Sequence, residues 1–140
     1  MTLLIDAGPL VALADAGEPQ RDAILAAIND EPESLVIPAP TTAEVDYLLG
    51  QHLGEPARRA FLTDLAAGRF TVACLEREDY LTIADIETRY ADLKLGLADC
   101  ALVVLAHRYE TRRILSFDER HFRAVTPLGG GGFTLLPADT

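Results

Sequence analysis

Tryptophan is absent from this 140-residue chain, methionine occurs once and histidine three times. The only cysteines, Cys74 and Cys100, belong to no CxxC pair and no Cys/His cluster, which excludes a zinc site of the usual spacing. Their apolar surroundings predict free, buried thiols, because a chain of this length needs no disulfide to hold a core. No apolar run approaches the ~20 residues that cross a bilayer. The start, Met1 to Ile5, lacks basic residues and stops at Asp6, so it reads as a strand and not as a signal peptide. A cytoplasmic protein with no membrane contact is therefore expected. Nucleotide-binding and serine-hydrolase signatures are missing too. Gly129 to Gly132 lacks the Lys-Ser/Thr of a phosphate loop, no GxGxxG follows a strand, and there is no GxSxG.

What is present describes one folded domain over residues 1–140. Apolar residues make up 49% and charged residues 24%, which excludes a disordered chain. The net charge of −10 argues against a generic nucleic-acid binder, which is usually basic. The charge is uneven, however. Residues 89–123 hold seven basic residues (Arg89, Lys94, Arg108, Arg112, Arg113, Arg120, Arg123) and five acidic ones (Asp92, Asp99, Glu110, Asp118, Glu119), a balance of 7 − 5 = +2. Arg112, Arg113, Arg120 and Arg123 are the candidates for phosphate-backbone contacts in that stretch; an ordinary solvated face explains them equally well.

Short apolar runs alternate with helical patterns. Leu3 to Ile5, Leu35 to Ile37, Phe70 to Ala73 and Arg113 to Ser116 read as strands, with Thr134 to Leu136 as a fifth. Helices are expected from Gly8-Pro9 to Leu13, around Ala23 to Ile28, over 41–51, from Pro56 to Gly68, over 79–90 and over 97–108. The alternation predicts an α/β fold: a mostly parallel sheet of four to five strands with helices on both faces. In such sheets the site lies beyond the carboxyl ends of the strands.

Four acidic residues stand near that rim: Asp6 after strand one, Glu44 on the helix after strand two, Asp99 at the start of an apolar helix and Asp118 beyond strand four. Each has a structural explanation. Asp6 and Asp99 suit helix caps, Thr41 and Glu44 match a capping box, and Asp118 suits a turn. Taken together they point to chemistry. Two carboxylates about 4 Å apart repel by roughly 4 kcal/mol near a protein surface, so a cation is needed to hold them together. Oxygen donors without His or Cys favour Mg²⁺ or Mn²⁺, ions suited to phosphoryl transfer. Ser116 offers a hydroxyl either to a metal-bound water or to a turn. His52, His107 and His121 lack ligand spacing and are expected at the surface, with His121-Phe122 alternatively facing a substrate and Phe122 in the core.

These residues resemble the PIN-domain ribonucleases, and among them the VapC toxins of bacterial and archaeal toxin–antitoxin pairs. The resemblance rests on Leu3-Leu4-Ile5-Asp6, Thr42-Ala43-Glu44-Val45, Leu97-Ala98-Asp99-Cys100 and Leu115-Ser116-Phe117-Asp118, in that order along nearly the whole chain. It implies an Mg²⁺- or Mn²⁺-dependent endoribonuclease with Asp6, Glu44, Asp99 and Asp118 as its metal site. It also implies homodimers, a cognate antitoxin protein, and structured RNA such as tRNA or ribosomal RNA as substrate. Two positions depart from the family: Ala7-Gly8 supply no hydroxyl after the first Asp, and Cys100 replaces the common Ala. A stand-alone RNA-processing nuclease and a non-catalytic binding module are the alternatives. For a phosphatase of haloacid-dehalogenase type, Gly8 stands where a second Asp is required. Helices near Glu44 to Leu49 and Phe61 to Leu65 carry more Leu and Phe than one core face needs, and any exposed remainder would suit an antitoxin helix.

Overall fold

In the computed structural model, which describes residues 1–31 and 34–140, the five apolar runs form one parallel sheet. The strands are β1 (Leu3–Ile5), β2 (Leu35–Pro38), β3 (Thr71–Ala73), β4 (Arg113–Leu115) and β5 (Thr134–Leu136), in the order β3-β2-β1-β4-β5. Three- and four-residue strands suffice because the helices bury both faces. Leu3 and Ile5 point to one side and Leu4 to the other, and all three are fully buried.

Each face has its own core. Leu3, Ile5, Leu35, Ile37 and Leu115 pack against α1 (Ala7–Leu13), α2 (Arg21–Asp30), α3 (Ala39–His52) and α4 (Glu55–Ala66). Leu4, Val36, Ala73, Ile114 and Leu135 pack against α5 (Arg77–Arg89), α6 (Leu97–Arg108) and α7 (Glu119–Ala124). Residues Cys100 to Ala106 of α6 are all buried, as its unbroken apolar run predicts. The fold class read from the sequence, with helices on both faces, is the fold observed.

Three local readings are corrected. First, the expected helix over 41–51 begins at Ala39, with Pro38 as its cap and Pro40 in its first turn, where a missing N–H costs nothing. Thr41 then lies inside the helix, buried and with its hydroxyl unpartnered, so the Thr41–Glu44 capping box does not form. Second, a real capping box starts α5 earlier than expected: Glu76 N–H donates to Asp79 Oδ2 at 2.6 Å. Third, Cys74 is exposed in the loop after β3, whereas Cys100 is buried, and desolvation pushes its thiol up to about 12.

The chain winds outward from β1 to β2 to β3, then returns through α5 and α6 to place β4 on the other side of β1. The order of winding therefore reverses between β1 and β4, which in a parallel sheet places a crevice beyond the carboxyl ends of these two strands.

Candidate active site

Asp6 and Ser116 directly follow the two strands that flank this crevice. The Asp6 N–H donates to Leu115 O at 2.9 Å, which continues the β1–β4 ladder to its last residue. The carboxylate of Asp6 caps α1. Its Oδ1 accepts from Ala7 N–H at 2.8 Å and its Oδ2 accepts from the Ser116 hydroxyl at 2.7 Å. That hydroxyl in turn accepts from Asp118 N–H at 3.0 Å. Ser116 is 1% exposed, so its oxygen joins the first and last acidic residues of the site from beneath. The expected turn hydroxyl is present, and it also fixes Asp6.

Asp118 caps the short helix α7 by accepting from His121 N–H at 3.1 Å. Its other oxygen lies 2.7 Å from His121 Nδ1, and Asp99 Oδ2 lies 3.6 Å from the same nitrogen. The ring is turned off the line that an aligned hydrogen bond requires, leaving a buried Nδ1 without a directed partner. Asp99 sits in the first turn of α6, with Gly96 N–H 3.5 Å from its Oδ2, which is too long to satisfy a carboxylate. Asp99, Asp118 and His121 present one ligand atom each, all within 4.8 Å of one another.

The surface expectation thus fits the exposed His52 and His107 and fails for His121. The missed signal is the three-residue spacing from Asp118 at a helix start, which brings both side chains onto one turn.

Glu44 projects from the second turn of α3 with no capping bond to hold it. Its carboxyl is raised above the usual range by partial burial and then by the charges of Asp6 and Asp99. Burial likewise raises Asp6, against the hydrogen bonds from Ser116 and Ala7, and Asp118 adds repulsion. Asp99 is raised by burial first and by Asp6 second. The four carboxyl groups therefore feel one another across a single crevice, although only Asp99 and Asp118 stand close enough to share a ligand atom's neighbours with His121.

This donor set fits a divalent cation. Several carboxylates are driven toward their neutral form by burial and mutual repulsion, no Lys or Arg is among the charges acting on them, and an imidazole nitrogen beside them is unpartnered.

The four arginines singled out for phosphate contacts divide between two places. Arg112 and Arg113 lie at the opposite end of β4 from Ser116, lining a hollow of about 840 Å³ with His107 and Gly129. Arg113 Nε is 3.9 Å from Glu31, and Arg112 reaches Gly129 O. Arg123, on α7, is held by Glu119 and Asp139 at 3.1 and 2.6 Å. Arg120, beside Asp118, is exposed and has no acidic partner among the described residues. The stretch is not one strip beside the acidic crevice, because an extended strand carries its two ends to opposite rims.

Comparison with known proteins agrees with the fold. Residues 3–126 match the PIN domain family. The chain belongs to that family.

Within it, the chain is 42% identical over 135 residues to Ribonuclease VapC26 of Mycobacterium tuberculosis, covering 96% of this chain and all of that one. Three solved structures share the fold at low sequence identity. Mycobacterium tuberculosis VapC20, described as a Sarcin-Ricin loop cleaving toxin, has a TM-score of 0.76 at 14% identity, over 84% of this chain and 90% of that one. VapBC2 from Rickettsia felis, bound to a promoter DNA fragment, gives 0.70 at 12%, over 96% and 97%. FitAcB from Neisseria gonorrhoeae gives 0.61 at 15%, over 84% and 88%.

Proposed function

We propose that this protein is the toxin endoribonuclease of a VapC-type toxin–antitoxin pair, and that it depends on Mg²⁺ or Mn²⁺ and cuts structured RNA such as tRNA or ribosomal RNA. The observation that carries the reading is the hydrogen-bonded line Asp118–Ser116–Asp6, with Asp99 and Glu44 electrostatically coupled to it, in a chain 42% identical to a VapC ribonuclease.

Asp6, Asp99 and Asp118 are the residues to hold the cation, with Glu44 reaching it directly or through water. A divalent ion in this setting supplies a Lewis acid and a water acidic enough to act as nucleophile near neutral pH. The chain's own work is positional. The Ala7 N–H and the Ser116 hydroxyl fix both oxygens of Asp6, so its remaining lone pairs face the crevice in one orientation. Asp118 is fixed in the same way by His121 N–H. His121 Nδ1, 2.7 Å from Asp118 Oδ2 and 3.6 Å from Asp99 Oδ2, adds an imidazole nitrogen to the carboxylate oxygens of the crevice. Arg120, free of acidic partners among the described residues and next in the chain to Glu119, is the arginine best placed to meet a phosphate.

A cognate antitoxin is the expected partner. Tyr47 on α3 and Leu62 on α4 are 65% and 44% exposed, whereas Val45, Leu49 and Phe61 are buried, so an apolar remainder does face outward on both helices. Assembly as a homodimer and a cytoplasmic location complete the proposal. No helix among the described residues is long and apolar enough to cross a membrane.

The test is cleavage of total tRNA and ribosomal RNA by the purified protein with Mg²⁺, with Mn²⁺ and with EDTA, alongside Asp99→Asn. Discrete cuts that need metal and vanish in the variant support the reading. A folded, inhibitor-free protein that cuts nothing in either metal defeats it and favours a binding module.

A further inference from the structure

Beside the acidic crevice lies a second hollow of about 310 Å³, roughly the lower bound for a small-ligand pocket and the scale of a single nucleobase rather than a whole folded loop. Gln20 and Ala23 form one wall, Pro137 and Ala138 another, and Ser116 and Phe117 the side shared with the crevice. Ser116 is the residue whose hydroxyl binds Asp6, and Phe117 stands directly between Ser116 and Asp118. The hollow and the acidic site therefore share Ser116, and Phe117 and Glu119 on either side of Asp118 line the hollow.

Phe117 is unusual among the chain's five phenylalanines. Phe61, Phe122 and Phe133 are buried, whereas Phe117 leaves 38% of its surface exposed beside a cluster of charges. The ring is held in that position by Gly8. A Cβ built on Gly8 would lie 3.2 Å from Phe117 Cδ2 and 3.9 Å from Cγ and Cε2, so the edge of the ring rests on bare backbone. This accounts for one of the departures noted in the sequence: the side chain missing at position 8 makes the space that Phe117 occupies. Around the ring the hollow offers flat apolar surface from Pro137 and Ala138, an amide at Gln20, and the Glu119 carboxylate at its rim. An aromatic face with an amide and a carboxylate at its edge suits a nucleobase, whose faces stack and whose edge carries both donors and acceptors.

We infer that this hollow is a base-binding subsite: it takes the unstacked nucleobase next to the scissile phosphate, with Phe117 as its stacking platform and Gln20 and Glu119 as edge contacts. This rests on the ribonuclease reading above, and it makes Phe117 a positioning residue that sets which nucleotide flanks the cut.

Titration of the isotope-labelled protein with adenosine, cytidine and uridine, and with ribose alone, tests the subsite by NMR without requiring cleavage. Expected are shifts at the amides of Ala23, Phe117 and Ala138 with at least one nucleoside and none with ribose. Phe117→Ala and Phe117→Leu should weaken that binding about fivefold or more, while Phe117→Tyr should retain it. Because Phe117 is half exposed, folding of the variants is checked on the same spectra. Shifts that ribose reproduces, shifts confined to residues near Asp99, or equal binding by Phe117→Ala would each overturn the inference. A protein that cuts no RNA yet binds nucleosides at these amides overturns the nuclease reading and leaves the subsite standing.

Discussion

The two rims of the sheet differ in charge and in hydrogen bonding. At the carboxyl rim, Asp6, Asp99, Asp118 and Glu44 gather over a floor of directed hydrogen bonds through the buried Ser116. At the amino rim, Arg112 and Arg113 line an open hollow beside a tetraglycine loop, where Gly130 and Gly131 take positive φ and the Arg112 guanidinium packs against the space a side chain at 131 would need. One strand, β4, connects the two, with Arg113 at one end and Leu115–Ser116 at the other. Like charges are therefore concentrated where directed hydrogen bonds fix the side chains, which is the arrangement a cation site requires. Arg112 and Arg113 sit beside the glycine loop, whereas Arg120 and Arg123 lie on α7. Function is read from the acidic rim.

Substitutions at the two rims should separate by orders of magnitude. Asp99→Asn removes a carboxylate from the crevice and should lower kcat/KM by more than about 10²-fold, exceeding the loss usual for a supporting contact. Discontinuous cleavage assays on whichever RNA the wild-type protein cuts would show it, and a wild-type rate would remove Asp99 from the site. Ser116→Ala breaks the tie between Asp6 and Asp118 without removing a charge. It should cost roughly 10- to 100-fold, as a weaker affinity for metal or a lower rate, and isothermal titration with Mn²⁺ distinguishes the two. Arg120→Ala should weaken RNA binding roughly fivefold, the scale of one charge-assisted contact, while Arg112→Ala should leave it unchanged. An equal loss from both would mean that RNA spans the rims and that the contrast between them fails.

The smallest effect concerns stability. The folded-state carboxyls of Asp6 and Asp99 lie above their ordinary values, burial being the first cause in each. A raised acid favours the folded state fully below its unfolded value of 3.8, and that advantage is lost as pH rises through the folded value. In EDTA at neutral pH the ionised cluster therefore strains the fold. Asp99→Asn should raise Tm there, and the gain should disappear as pH falls below that of the ordinary carboxyl. Thermal scans across that range would show the two Tm curves converging at low pH, and a variant less stable at every pH would contradict the electrostatic account.

Much of this site was legible in the sequence because apolar strands that stop at a carboxylate mark both the strand and the rim. Leu3 to Asp6 and Ile114 to Asp118 carry that mark, and the helix with Asp99 was plain from its unbroken apolar run. His121 was not legible, because α7 is six residues long and too short to show a periodicity. Glu44 was legible only as an ambiguity: a capping-box pattern matched locally, and the two prolines before it moved the helix start and released the side chain. The split of the arginines depends on the direction of β4 across the sheet, which residue spacing alone does not encode.

The bond between Ser116 and Asp6 joins residues 110 positions apart, across strands that are neighbours in the finished sheet. During synthesis, Asp6 leaves the ribosome early and waits for most of the chain before β4 can slot in beside β1. Until then one edge of β1 has no neighbouring strand, and Asp6 lacks both Ser116 and Asp118. The sheet order therefore ties completion of the acidic crevice to the synthesis of residues 113–118, near the end of the chain.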